Sequence, residues 1–125
     1  MALTLHRASE SDADCIADIH MAAFGTNAML RAQFPTAAIR CELRKRIAQK
    51  ALDDMRDPKK AVLVVKNGNQ IISFAKWDLP VFEGEKYVER PWVWPEGTNL
   101  AIVDEWMEKV EEAEERVCWW AGVLS

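Results

Sequence analysis

Residues 61–80 read AVLVVKNGNQIISFAKWDLP and carry the clearest structural signal in the chain. The run AVLVV, residues 61–65, is apolar and rich in β-branched residues, which is typical of a central strand. Asn67 and Gly68 follow as an Asn-Gly pair, the strongest short signal for a hairpin turn. IISFAKW, residues 71–77, then predicts the return strand. The stretch therefore predicts an antiparallel hairpin whose first strand lies inside a sheet.

Upstream of the hairpin, the sequence predicts one more strand and two helices. Residues 3–7, LTLHR, alternate between apolar and polar side chains, as in a short strand. Ser9 and Asp12 form a variant of the capping box that opens a helix, and Gly25 ends it because glycine tolerates left-handed dihedrals. After a predicted loop at residues 25–36, a second helix places apolar residues at four-residue steps: Ile39, Leu43, Ile47, Ala51 and Met55.

Downstream of the hairpin, the composition changes. Residues 82–98 hold prolines, glycines and aromatic residues, which predicts a long connection of the kind that often carries function. Thr98 or Asn99 is then expected to cap an acidic amphipathic helix. The apolar segment VCWWAGVL, residues 117–124, lies directly before the last residue, Ser125. We expect this tail to be buried, either at the end of that helix or as a strand beside residues 71–77.

Length, charge and cysteines limit the class of protein. The 125 residues fit one domain, and the formal net charge of −4, from 16 Lys and Arg against 20 Asp and Glu, argues against nucleic-acid binding. No run approaches the ~20 apolar residues of a membrane helix. The three cysteines show no C-x-x-C spacing and no signal peptide precedes them, so we expect reduced, mostly buried thiols in a cytoplasmic protein.

Three segments carry a resemblance to a known family: LHRASESDADCIADIHMAAFG at residues 5–25, Phe34-Pro35, and the hairpin stretch at residues 61–80. Together they resemble the N-terminal half of a GCN5-related N-acetyltransferase (GNAT), of the kind common in filamentous fungi. The resemblance implies an α/β (α+β) fold with a small, mostly antiparallel sheet and packed helices. Residues 1–81 would be the GNAT-like half, followed by the connection at 82–98 and the helix and tail at 99–125, all in one domain.

The resemblance also implies acetyl transfer from acetyl-CoA to an amine, but the family's cofactor motif is absent. That motif is a Gln/Arg-x-x-Gly-x-Gly/Ala turn whose backbone N–H groups, with a helix N-terminus, hold the pyrophosphate. None of the five glycines lies two residues from another. The chain therefore resembles a truncated relative, and we expect no cofactor; acetyl-CoA would be expected only with the missing half. We expect no metal, since no HExxH motif or paired Cys/His set occurs.

Candidate site residues fall into two groups. His20, on the apolar face of the first helix, and Asp78, at the end of the third strand, are the acid–base candidates, although a core histidine and a turn residue are the alternatives. In the resembled family the loop between the first two helices lines the acceptor pocket. The substrate-binding candidates are therefore Phe24, Asn27, Met29, Leu30 and Phe34 of that loop with Trp77, Trp92 and Trp94, unless these residues only pack against one another.

Three functions remain open from the sequence. The first is a GNAT-like acetyltransferase. The second is a truncated GNAT scaffold that binds a small molecule or catalyses a cofactor-independent step in a fungal biosynthetic pathway. The third is a non-catalytic module that forms a homodimer through an exposed sheet edge or the apolar tail. The sequence leaves a small-molecule ligand and a homodimer partner open, and it predicts neither a nucleic-acid nor a membrane partner.

Overall fold

The computed structural model describes residues 2–79 and 92–124, with side chains described as far as residue 116. The chain forms a mixed α+β fold, as the sequence predicts. In chain order its elements are β1 (Leu3–Arg7), a 3-10 turn (Glu10–Asp12), α1 (Ala13–Phe24), α2 (Ala28–Gln33), α3 (Ala37–Arg56), β2 (Lys60–Asn67), β3 (Gln70–Asp78) and α4 (Leu100–Leu124).

The three strands form one antiparallel sheet in the order β1-β2-β3. The prediction that the AVLVV run is the central strand is confirmed. The hairpin is also confirmed, but Asn67 pairs with Gln70, so the two loop residues are Gly68 and Asn69. Gly68 has φ +62° and no other residue of the loop has positive φ. This matches a turn with glycine at its first central position, whereas an Asn-Gly turn needs positive φ at both central residues.

A β-bulge in β3 directs two side chains towards the helices. Val65 pairs with Ser73, but the next residue, Lys66, pairs with Ile71, so Ile72 is the extra residue. Ile71 and Phe74, on either side of the bulge, both pack against the same hydrophobic cluster. The bulge therefore lets two residues at an odd spacing contact one core, while Ile72 is 44% exposed.

Helices α1 and α3 cover one face of the sheet. The core between them joins Ile16 of α1, Ala51 of α3, and Val62 and Val64 of β2. These four side chains are at most 5% exposed. The opposite face of the sheet carries apolar side chains that are exposed among the described residues, including Leu5 and Trp77, the latter 60% exposed. The described helices therefore build their core on one side of the sheet only.

The start of α1 follows the predicted capping chemistry. The backbone N–H of Ser9 donates to Oδ2 of Asp12 at 2.8 Å, and Asp12 closes a 3-10 turn before α1 begins. At the other end, Gly25 has φ −62°, so it caps α1 in right-handed geometry. The prediction that Gly25 ends the helix is confirmed, but the left-handed conformation expected there is wrong.

The predicted loop at residues 25–36 contains a short helix, α2, and the prediction of a structureless connection is wrong. Asn27 explains the difference because its Oδ1 accepts from the N–H groups of Met29 at 2.9 Å and Leu30 at 3.3 Å. This is an N-cap, and the residues that follow it, AMLRAQ, are good helix formers. Met29 and Leu30 therefore lie on a helix.

The long helix α3 has the predicted apolar stripe, and its charged residues tie it to the elements before it. Thr36 caps α3 by accepting the N–H of Ile39 at 3.2 Å. Arg44 donates to Asp18 of α1 at 2.6 Å, and Arg56 donates to Glu10 of the 3-10 turn at 2.9 Å. These surface pairs contribute little to stability individually; they link α3 to α1 and to the 3-10 turn.

Helix α4 begins after Asn99, whose Oδ1 accepts the N–H of Ile102 at 3.4 Å. Thr98 instead donates to the carbonyl of Pro95 at 2.7 Å, so Asn99 is the cap. The backbone stays helical to Leu124, so the alternative of a strand at residues 117–124 is wrong. No glycine or proline occurs between Gly97 and Gly122 to stop the helix. The predicted burial of the tail concerns side chains outside the described ones.

The cysteines depart from the prediction of burial. Cys15 on α1 and Cys41 on α3 are both free and exposed. Each lies on the face of its helix that points away from the apolar stripe, so the helical period brings it to solvent. The side chain of Cys118 lies outside the described residues, as does the first part of the predicted connection, residues 82–91.

Candidate functional site

A cavity of about 530 Å³ lies between the four helices and the segment at residues 92–94. This volume is in the range of small-molecule sites. Its described lining is mostly apolar and aromatic: His20, Phe24, Asn27, Met29, Leu30, Gln33, Phe34, Leu43, Ile47, Trp92, Trp94, Val103, Trp106 and Met107.

Helix α4 closes one side of the cavity and is fastened at its first turn. The N–H of Asn99 donates to the carbonyl of Gln33, the last residue of α2, at 2.8 Å. Val103, one turn into α4, is 2% exposed. Trp106 and Met107, in the next turn, line the cavity with partly exposed side chains. The start of α4 is therefore packed against the fold, and its second turn borders open space.

Aromatic rings form one wall. Trp92 and Trp94 stack with their centroids 5.4 Å apart and their planes at 10°. Phe34, which is buried at the end of α2, meets Trp94 at 5.9 Å and 42°. The Nζ of Lys50 lies over the ring of Trp92, 5.9 Å from its centroid. A paired indole wall of this kind offers a flat, polarizable surface to a ligand ring.

A glycine turn fixes the aromatic segment against α3. Gly97 has φ +87°, and a Cβ on it would lie 2.9 Å from Cδ1 of Ile39. The left-handed dihedral favours glycine at this position, and a side chain here would also displace the end of Ile39. Ile39 belongs to the first turn of α3 and packs on the same cluster as Trp92 and Trp94. The indole wall is therefore held by a tight turn on one side and by the core on the other.

His20 is the titratable residue of the described lining. It is half-buried, and its ring lies 5.1 Å from that of Phe24. Burial lowers the pKa of His20 below 6.5, and the positive charge of Lys76 lowers it further. The imidazole is therefore mainly neutral at pH 7. Neither ring nitrogen has a hydrogen-bond partner within the described residues, and neither is sealed from solvent. A neutral imidazole beside open space can donate or accept one hydrogen bond to a ligand.

The structure brings eight of the ten predicted site residues together. His20, Phe24, Asn27, Met29, Leu30, Phe34, Trp92 and Trp94 line the one cavity. Trp77 and Asp78 do not line it. Trp77 lies on the open face of the sheet, and Asp78 Oδ1 forms an ion pair with Nζ of Lys60 at 3.2 Å. His20 and Asp78 are therefore not a catalytic pair around this cavity.

Sequence reasoning assigned no site role to six of the lining residues. Leu43 and Ile47 belong to the predicted stripe of α3, and Val103, Trp106 and Met107 to that of α4; Gln33 carried no signal. A helical stripe predicts that a side chain faces something apolar, and it does not distinguish a core from a cavity wall. The apolar stripe of α4, running directly on from the Trp-rich connection, was the available signal.

The comparisons with known proteins leave the family open. No protein-family model matches the chain, and no curated protein matches it. The relationship to GNAT acetyltransferases therefore stays a prediction.

Two further kinds of site were sought in the part of the chain that the structure describes. No group of three His, Cys, Asp or Glu side chains there is placed to hold a metal ion. No described helix combines the length and the apolar character needed to cross a membrane.

The lowered pKa of His20 predicts a pH effect on stability. The unfolded chain binds a proton at His20 near pH 6.5, whereas the folded chain binds it only at lower pH. The neutral His20 is therefore compatible with the fold above pH 6.5, and protonation at lower pH favours the unfolded chain and lowers the free energy of unfolding. We expect the free energy of unfolding to fall between about pH 7 and pH 5, and a His20→Gln variant to show a smaller fall. Urea unfolding of both proteins over this range measures the difference, and equal slopes would contradict the assignment.

Proposed function

We propose that this chain is a small-molecule-binding protein whose ligand occupies the cavity between the four helices and the segment at residues 92–94. One observation carries the proposal: the fold leaves about 530 Å³ open and surrounds it with aromatic and aliphatic side chains. A concave, mostly apolar space of this size with a few polar groups is typical of small-molecule sites. A ligand there would gain roughly 25 cal/mol for each Å² of apolar surface removed from water.

The cavity supports ligand binding better than it supports acetyl transfer. Acetyl-CoA is polyanionic, and the described lining offers it no lysine or arginine. The sequence also lacks the glycine-rich turn of the resembled family. We therefore keep acetyl-CoA out of the proposed function.

A cofactor-independent reaction is the second candidate, and the position of His20 favours it. A neutral imidazole with a free hydrogen-bonding nitrogen next to an apolar space is a suitable acid or base. In that case His20 would be the catalytic residue and the indole wall would hold the substrate. Binding is required in both cases, so the cavity is tested first.

We propose that the protein acts in the cytoplasm. The exposed, free thiols of Cys15 and Cys41 support a reducing compartment.

A homodimer also stays within the proposal, because β1 and β3 are the outer strands of the described sheet and an outer strand can pair with a second chain.

Titration with Nile red, an uncharged dye that brightens in apolar surroundings, tests the proposal. We expect saturable binding of one dye per chain. A Met29→Trp variant should raise the Kd at least about tenfold, since the larger ring fills the space that the dye uses and removes its buried contacts. Met29 is 46% exposed, so the substitution should leave the fold intact.

A Leu5→Trp variant is the matched control. It adds the same ring on the exposed face of the sheet, away from the cavity, and should leave the Kd unchanged. Dye binding that is weakened by Leu5→Trp but not by Met29→Trp would place the dye on the sheet and overturn the proposal. Absence of saturable binding would also overturn it.

A further inference from the structure

The geometry points to a ligand class: we propose that the cavity selects uncharged, flat aromatic molecules that carry a hydroxyl or carbonyl group, because His20, Asn27 and a stacked pair of indole rings line the same space. This inference rests on the proposed function, since it names the kind of ligand that the same cavity takes.

The charge of the lining is the first argument. None of the 14 described lining residues is Asp, Glu, Lys or Arg. An ion that gives up hydration to enter such a space gains no counter-ion from the described lining, so its binding is disfavoured. The described lining therefore disfavours carboxylates, phosphates and ammonium groups alike.

Two cations that lie near lining residues, Lys50 and Lys76, are already engaged by a buried carboxylate. Lys50 lies over Trp92, and the positive charge of Lys76 lowers the pKa of His20. Both bind Asp54, whose side chain is 5% exposed: Lys50 Nζ is 3.3 Å from Oδ1, and Lys76 Nζ is 3.0 Å from Oδ2. An anionic ligand would have to compete with this carboxylate for either lysine. The neighbourhood of the cavity thus supports the same neutral class.

The shape of the wall is the second argument. Trp92 and Trp94 are almost parallel, with their planes at 10°. Aromatic rings that pack with offset-stacked or edge-to-face geometry gain a favourable interaction beyond the area buried. A flat aromatic ligand can pack in this way against the indoles that line the cavity, whereas a branched aliphatic molecule of equal volume cannot. Ring planarity is therefore a selected property.

The polar groups are the third argument. Asn27 uses Oδ1 for two bonds within the α2 cap, which leaves the N–H groups of its side-chain amide without a partner among the described residues. His20 adds a nitrogen that donates or accepts. A ligand hydroxyl or carbonyl can pair with these groups, and one such bond makes a modest net contribution to affinity. The ligand is therefore expected to be polar at one point.

Four naphthalene probes of nearly equal size test the class at neutral pH, with quenching of tryptophan emission as the signal. They are 2-naphthol, naphthalene, 2-naphthoate and 2-naphthylmethylammonium. We expect 2-naphthol to bind tightest. It should exceed naphthalene by roughly threefold, as expected for one hydrogen bond, and both ions by at least about tenfold, because their charges would be buried without a partner.

Two variants assign the selection to the named residues. A His20→Phe variant should bind naphthalene as the parent does and lose the preference for 2-naphthol, while His6→Phe on exposed β1 keeps it. An Asn27→Asp variant retains the N-cap, since Asp caps as well as Asn, but places a carboxylate in the lining. It should bind the ammonium probe at least about threefold tighter than the parent, through a charge-assisted bond. It remains informative if His20→Phe fails to fold.

The outcomes separate the ligand class from the proposed function. Equal or tighter binding of either ion to the parent overturns the class and leaves small-molecule binding standing. The same holds if Nile red binds in the cavity and no naphthalene probe does. If neither Nile red nor any probe binds, the proposed function fails and the class fails with it.

Discussion

An Ile16→Ala substitution is expected to lower the free energy of unfolding by about 3–4 kcal/mol. Ile16 lies on α1 and is 0% exposed. It packs with Val62 and Val64 of the central strand and with Ala51 of α3. Because three elements meet on this one side chain, no single neighbour can move in to fill the space that its truncation leaves. The loss therefore combines the transfer free energy of the removed carbons with the cost of an empty cavity.

Urea unfolding followed by circular dichroism measures this loss, and Ile72→Ala is the matched control. Ile72 is the extra residue of the bulge in β3 and is 44% exposed, so its truncation should cost less than about 1 kcal/mol. The two variants remove the same atoms from the same residue type. Equal losses would show that the interface of α1 with the sheet is not the core of the domain.

The parts of this fold that follow from the sequence are those fixed by local chemistry. Val62 and Val64 belong to a short β-branched run, which favours a central strand wherever it occurs. The α3 stripe recurs at each turn of a helix that a threonine opens and a proline closes. Neither signal needs a distant partner, and both predictions are confirmed.

The errors arise where two local signals compete. Asn27 can end a helix or begin one, and only the bonds from Met29 and Leu30 to its side chain show that it begins α2. The apolar tail at residues 117–124 is equally ambiguous, since a short apolar run fits a strand or a buried helix. The continuous backbone of α4 decides in favour of the helix.

The cavity shows the limit more sharply. The aromatic candidates Phe34, Trp92 and Trp94 could be named because such residues are uncommon in polar connections. They meet because the chain returns to the end of α2, where the N–H of Asn99 donates to the carbonyl of Gln33. Trp77 has the same composition signal and lies on the open sheet face instead. The residue type indicates that an aromatic side chain could line a site, whereas tertiary contacts determine which aromatic side chains line the same cavity.

Asp54 is the residue that sequence reasoning could least have found. It stands beside Asp53 on α3, and both look like members of a solvated face. The structure separates them: Asp53 accepts a bond from Gln49 near the surface at 3.1 Å, whereas Asp54 is 3% exposed. Its partners come from three elements, since Lys50 lies one turn earlier on α3, Lys60 on β2 and Lys76 on β3.

An Asp54→Asn substitution is accordingly expected to lower the free energy of unfolding by about 2–3 kcal/mol. The amide has the shape of the carboxylate, so the change removes a charge without creating a cavity. Lys50, whose side chain is 13% exposed, and Lys76 then both face a neutral group, so the desolvation of Lys50 is less well offset. Lys60 lies 3.9 Å from Asp54 and also forms a 3.2 Å ion pair with Asp78. Because the pair with Asp78 remains in the variant, Lys60 keeps a counter-ion, and we expect a smaller loss of unfolding free energy than if Asp54 were its only partner.

Asp53→Asn is the control for this variant, because it makes the same chemical change one residue earlier at a more exposed site. It should change the free energy of unfolding by no more than about 0.5 kcal/mol, and a loss equal to that of Asp54→Asn would contradict the argument. Ligand binding supplies an independent readout. With Asp54 neutral, Lys76 has no carboxylate to compete with a ligand, so the folded Asp54→Asn protein should bind 2-naphthoate more tightly than the parent does. Asp53→Asn should not, because Asp53 has no contact with either lysine that lies beside the cavity.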